Sequence, residues 1–355
     1  MTLNKPVWAN NHDSDSEDEN DYDGYNANRG YWAYSCELMR RWFCRFCQRK
    51  KRANVSQMVL VILAFASIAQ SYEVQFHTHA GRKMAYRYVA ATTPTPAVAN
   101  ILCIHPVGIG ISSWFFDKLN ADLPSCNVLS PDLRGCGDSE AFVPEEDGMF
   151  FPLDWTRQVE ELCKELSWGE SLPVVILAQG GIAPVALQLG YRGKLENIQR
   201  IILTSPPTYE TLTKPISADE YGLNYNILTF PGLKQIFTRI LMNRGAIKFF
   251  SNLFLFSQSA DEDFLSKAAR DAEQLWRINP VFAFNAGALI TRSWEEEIES
   301  CGKLGLVIIS GEKETEERRL GRDFGSNCTN VILEDGLNVI PWEQSRALAS
   351  IIMNE

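Results

Sequence analysis

The stretch from Leu172 to Gly190, LPVVILAQGGIAPVALQLG, constrains the fold more than any other part of the chain. Its first half is a continuous apolar run ending at a glycine pair, which reads as a strand buried on both faces; its second half reads as a helix. A strand that passes into a helix across two glycines belongs to a βαβ unit, and the surrounding sequence repeats the pattern. ANILCIHPVG and CNVLSPDLRGCGDS read as buried strands running into loops, SSWFFDKLNADL and LDWTRQVEELCKELS as helices, and IQRIILTSPP as a further strand. Upstream, YEVQFHTHAGRKMAYRYVA reads as two strands joined by a turn at Ala80-Gly81. The alternation predicts a mostly parallel central sheet flanked by helices, with the functional loops at the carboxyl ends of the strands.

From about Thr208 to Ser300 the alternation stops and every apolar stretch has helical period, so an inserted helical segment is expected at 208–300. Strand rhythm returns in LGLVIISGEKE and NVILEDG, and a closing helix is expected from Pro341 to Met353. Residues 71–355 therefore read as one α/β domain without internal repeats.

The chain before this domain has a different character. Residues 1–30 carry seven acids against two bases with little to bury, the composition of a disordered acidic leader in which Ser14 and Ser16 stand among acids. Residues 31–57 invert the balance, with seven bases against one acid and interleaved Trp, Phe and Cys. The division expected is thus 1–57, leader and basic aromatic segment, then 58–70, a short apolar targeting segment. The apolar run Met58 to Ala69 is short of the roughly 20 residues a spanning helix needs. It fits a signal-type core with Ser67-x-Ala69 as cleavage site, an uncleaved anchor, or an amphipathic helix packed on the body. Residues 40–69 together suit a membrane surface, with Cys44 and Cys47 available for acylation. Membrane association or a secretory route is the localisation expected. The chain's net charge of -10 leaves the folded body acidic, which excludes nucleic-acid binding by it. The nine cysteines lack framework spacing, and Cys44-x-x-Cys47 has no second pair, so no metal site and no cofactor is expected.

Four short motifs sit at the predicted strand ends: HPVG, PDLRGCGDS, AQGG and GEKE. In this order they resemble the α/β-hydrolase superfamily over Tyr72 to Glu355, which implies the α/β-hydrolase fold with a helical lid inserted after the sixth core strand. IHPVGIGISSWFFD, DWTRQ, QGGIAPVA and TSPP are similar to a branch found in cyanobacteria and plastids, implying a chloroplast as the alternative localisation. The family mechanism uses a nucleophile on the strand-to-helix turn, an acid after a later strand and a histidine after the last. The resemblance places Gly180 at the nucleophile position, Glu314 at the acid and Asn338 nearest the histidine. The four histidines are His12, His77, His79 and His105, so none follows residue 105. It also places the backbone N–H groups of Val107 and Gly181 where the family stabilises an oxyanion, with Gln179 adding a side-chain amide. His105, Asp132 and Arg134 read as loop organisers, and His77 and His79 lie on an early strand far from the turn.

The expected function is binding of a small molecule in a pocket under the lid, or an interaction role, on a scaffold whose triad is degenerate. The alternative is a lyase-like, isomerase-like or unconventional hydrolase activity using His105, Asp132 or Glu314.

Overall fold

Eight strands form β1 (Val74–His79), β2 (Arg82–Val89), β3 (Ala99–Ile104), β4 (Cys126–Pro131), β5 (Val174–Gln179), β6 (Ile198–Thr204), β7 (Leu306–Gly311) and β8 (Cys328–Leu333) in a computed structural model that describes residues 73–143, 152–326 and 328–353. They pair into one sheet in the order β1-β2-β4-β3-β5-β6-β7-β8. Only β2 runs against its neighbours; every pair from β3/β4 to β7/β8 is parallel. The β1–β2 turn places both Ala80 (φ 49°) and Gly81 (φ 76°) at positive φ, the backbone twist a two-residue hairpin requires.

The longer helices are α1 (Leu153–Glu165), α2 (Ala183–Arg192), α3 (Ala218–Thr229), α4 (Leu233–Leu241), α5 (Arg244–Phe254), α6 (Glu262–Asp271), α7 (Ile278–Ala286), α8 (Glu295–Gly302) and α9 (Ser345–Met353). Strand side chains alternate between two cores, as the pleat dictates. Leu102, Ile104, Ile176, Ala178, Ile201 and Leu203 face one core with α1, α2 and α8; Ile101, Cys103, Val175, Leu177 and Ile202 face the other with α6 and α9. Because both faces are covered, the central strands are apolar throughout rather than alternating.

The inserted segment is not a single lid. Phe264, Leu265 and Ala268 of α6 are buried in the second core, where the Phe264 ring stands edge-on to Trp114 (5.3 Å), Trp342 (5.5 Å) and Phe256 (4.8 Å). Helix α8 packs on α2 through Cys301 at Gly190, where a β-carbon would lie 2.9 Å from the sulfur and 2.4 Å from Ile201 Cδ1. The expected helical insertion of 208–300 stands between β6 and β7; within it α3 and α4 lie outermost, burying only Thr238, while α5 sends Ala246 and Ile247 inward and completes an outer layer over 218–254. Helices α4 and α5 are as strongly amphipathic as α6, so periodicity alone does not separate body from lid.

The leader, the basic aromatic segment and the apolar run, residues 1–70, lie outside the described residues. Among the described residues no helix is long and apolar enough to cross a membrane. The described cysteines, Cys103, Cys126, Cys136, Cys163, Cys301 and Cys328, are free thiols, all buried except Cys328.

If α6 is a core helix, Phe264→Ala should lower unfolding free energy by about 3–5 kcal/mol, while Leu223→Ala on α3 should stay within about 0.5 kcal/mol. Denaturant unfolding of both variants checks this; equal, small effects would return α6 to the lid.

Candidate functional site

All of β5 is buried, and the chain must leave it and enter α2 within one turn. Gly180 makes this possible at φ 70°, in the left-handed region that glycine occupies freely. Gly180 and Gly181 are glycines for different reasons. A β-carbon on Gly180 would meet nothing within 4 Å, so the space above the turn is open. One on Gly181 would fall 2.3 Å from Phe284 Cζ, because α7 brings that ring down onto the turn.

Ile104 of β3 pairs with Ala178 of β5, so the loop carrying Val107 and the turn carrying Gly181 leave adjacent strands at the same end. Neither the Val107 N–H nor the Gly181 N–H finds an acceptor among the described residues. Two half-buried amides without an acceptor thus follow adjacent strand ends, one of them next to the open position at Gly180, an arrangement suited to a ligand oxygen.

The neighbouring polar groups are committed elsewhere. His105 is fully buried; its Nε2 accepts from the Leu133 N–H at 3.1 Å, which leaves the proton on Nδ1 to donate to the Pro106 carbonyl at 2.9 Å. Burial lowers its pKa, opposed by the Asp132 charge. Asp132 accepts the Ser113 N–H on Oδ1 (2.7 Å) and the Asp138 N–H on Oδ2 (2.8 Å). It therefore ties the loops after β3 and β4 together, and Gly137 has to be glycine because a β-carbon would lie 2.2 Å from Asp132 Oδ2. Gln158 of α1 completes this loop by accepting from the Arg134 N–H and donating to the Asp132 carbonyl.

Glu314 is not the exposed charge its surroundings in EKETEERR suggest. Its side chain is fully buried, Oε2 lies 2.6 Å from Arg322 Nη1, and Oε1 accepts from Ser205 Oγ and the Gly311 N–H, both at 2.9 Å. Asn338 donates from Nδ2 to the Phe254 carbonyl at 2.6 Å and from its backbone N–H to Leu255 at 3.0 Å, pinning the end of α5. Gln179, expected to present an amide to a ligand, is buried and turned inward: Nε2 donates to the Asn338 carbonyl and Oε1 accepts from Thr204 Oγ1 at 2.7 Å. His77 and His79 lie on β1, beside Glu165 and Glu161 of α1 and away from the turn.

Sequence reasoning missed Ser205, Arg322 and Phe284. Ser205 stands at the end of the TSPP strand with φ 45°, a conformation without a sequence mark, and Arg322 is one base among several in ERRLGRD. A surface groove of about 270 Å³ lined in part by Glu161, Trp168, Lys194 and Glu196 lies at the amino ends of β5 and β6, opposite the turn.

Residues 101–351 match the Alpha/beta hydrolase family, and the chain belongs to it. Its fold is similar to that of a haloalkane dehalogenase, DatA of Agrobacterium tumefaciens C58 in mutant form, at a TM-score of 0.55 and 15% identity over 81% of this chain and 98% of that one. A thioesterase domain from the curacin biosynthetic pathway aligns at a TM-score of 0.54 and 16% identity, covering 80% of this chain and all (100%) of that domain. The epoxide hydrolase CorEH aligns at 0.54 and 16%, over 79% and 98%. Comparison with curated protein sequences finds no match.

Two outcomes follow from the buried groups. His105 binds its proton less readily when folded than at its ordinary pKa of 6.5, so its contribution to stability is complete above that value and is lost as pH falls toward the lowered one. The melting temperature should therefore fall between about pH 7 and pH 5, and His105→Gln should flatten the fall, leaving the part due to His77, also lowered by burial. Arg322→Met should cost about 3–5 kcal/mol by stranding the Glu314 carboxylate, and Glu314→Gln in the same chain should recover part of it; a double-mutant cycle in urea measures the coupling.

Proposed function

We propose that this chain is a non-hydrolytic member of the family that binds a small molecule over the β5–α2 turn, through an oxygen of the ligand held by the Val107 and Gly181 N–H groups. The observation that carries the reading is the open position at Gly180 beside the unclaimed Gly181 amide, at a place where the turn offers no side chain for attack. Nucleophilic hydrolysis needs a group to attack and a base to take its proton. Glycine supplies no such group, and no histidine follows residue 105.

The polar groups of the alternative chemistry argue the same way. A lyase-like or isomerase-like step needs an acid or base free to exchange a proton with substrate, and His105, Asp132 and Glu314 each have both polar atoms engaged by the protein. The degenerate triad supports placing the chain in the branch resembling cyanobacterial and plastid proteins. For the leader, the basic aromatic run and the apolar stretch within 40–69 support attachment to a membrane surface, on a secretory route or a plastid one.

Native mass spectrometry of the purified full chain is expected to reveal a co-purifying small molecule, and activated esters are expected to turn over no faster than with denatured protein. Gly180→Ser tests the position: it should fold at a strain cost of about 1–3 kcal/mol, lose the melting shift produced by that molecule, and gain no esterase activity. An unchanged shift in Gly180→Ser would move the binding site away from the turn. Ester turnover abolished by His105→Ala would replace the binding reading with a catalytic one.

A further inference from the structure

Residues 221–260 hold no Asp and no Glu, in a chain with 44 acids, yet they hold Lys234, Arg239, Arg244 and Lys248. This acid-free stretch takes in α4, α5 and all of α3 beyond its first turn, which carries the exposed Asp219 and Glu220. Its helices have two apolar sides. The inward side is satisfied: Tyr225, Leu228, Phe237 and Met242 pack against Ile278, Val281 and Phe282 of α7. The outward side carries Leu223, Ile227 and Phe230 on α3 and at its end, Leu233 and Ile236 on α4, and Phe249 on α5, with exposures from 38% to 61%.

The spacing of these residues excludes a scatter of single exposed side chains. Leu223 and Ile227 are one helical turn apart, as are Leu233 and Ile236, and Phe249 repeats at Leu253, so each helix presents a row. Helix α3 buries none of its residues and α4 only Thr238. Exposed apolar rows on three successive helices of a water-facing layer mark a site of contact. Lys234 and Arg239 have no acidic partner among the described residues, while Arg244 and Lys248 share the single carboxylate of Glu262. Apolar rows flanked by four bases, with the layer's acids confined to the first turn of α3, complement a surface that is apolar beneath and anionic above.

We infer that the outer layer α3 to α5 docks on an anionic lipid surface, inserting the row from Leu223 to Phe249 while Lys234 and Arg239 meet the headgroups. A second copy of the chain is a poorer occupant, since two such faces would oppose bases to bases with only Asp219 and Glu220, at the start of α3, to offset them. The proposal is independent of the ligand at the turn, and its readout is local to the layer, so attachment elsewhere in the chain does not imitate it.

The test is amide hydrogen exchange of the full chain with phosphatidylcholine vesicles, with and without about 30 mol % phosphatidylglycerol. Peptides covering 218–254 should exchange about fivefold more slowly or better with the anionic vesicles only, and the protection should shrink in high salt. Ile236→Glu with Phe249→Glu should abolish it, and Lys234→Ser with Arg239→Ser should reduce it; all four sites face solvent, so melting temperatures should stay near the parent's. Absence of protection would overturn the proposal, as would equal protection on neutral vesicles. Protection without vesicles that rises with protein concentration alongside a dimer mass would assign the face to a second copy instead.

Discussion

The turn between β5 and α2 is the constraint on which the upper end of the molecule depends. A strand buried on both faces has no freedom to bend, so the direction change into the helix falls on one residue, and Gly180 takes it at φ 70°. The helix that follows is buried along most of its length and holds the sheet to α8. The neighbouring strands place their loops around this point, since every crossover from β3 onward returns to the same end. Moving Gly180 would displace the Gly181 amide, the Phe284 ring above it and the loop that Gln179 holds through Asn338.

Around this turn the polar groups do structural tasks. The Glu314–Arg322 pair is fully enclosed, and such a pair repays its desolvation only when its remaining bonds are made; Ser205, Ser310, Pro206 and the Gly311 amide make them. The result is a rigid seam joining the ends of β6 and β7. Asn338 makes a second seam, from the loop after β8 to the end of α5, and through its carbonyl a third, to Gln179. The third seam runs through the backbone, so only the Nδ2 bond to Phe254 depends on the side chain at 338, and an amide supplies that donor at any pH.

The parallel core was legible in the sequence because strands covered on both faces must be apolar at every position, which gave β3, β5 and β7 their unbroken runs. The turn was legible from its two glycines, and the loops from their HPVG and PDLRGCGDS motifs. The division of 208–300 was not, because α6 and α4 are both amphipathic and differ in what their apolar rows meet: Trp114 and Trp342 for Phe264, solvent for Ile236. Nor was the inward turn of Gln179, whose partners Thr204 and Asn338 lie 25 and 159 residues away. Long-range polar pairing leaves no local periodicity to read.

The distribution of committed and uncommitted groups bears most directly on the proposed function. Buried polar groups are costly unless bonded, and a fold that ties down His105, Asp132 and Gln179 leaves the half-buried amides of Val107 and Gly181 without an acceptor among the described residues. Any residue but proline supplies a backbone amide, so the presence of these two follows from the loop path itself. The open space does not follow from it. Phe284 reaches to within a forbidden distance of any β-carbon on Gly181, yet no side chain of the outer helices enters the adjoining volume over Gly180. A lid free of any demand there would close onto it to bury apolar surface, as α6 closes onto Trp114. That open position beside the Gly181 amide is the feature on which the proposed binding role rests.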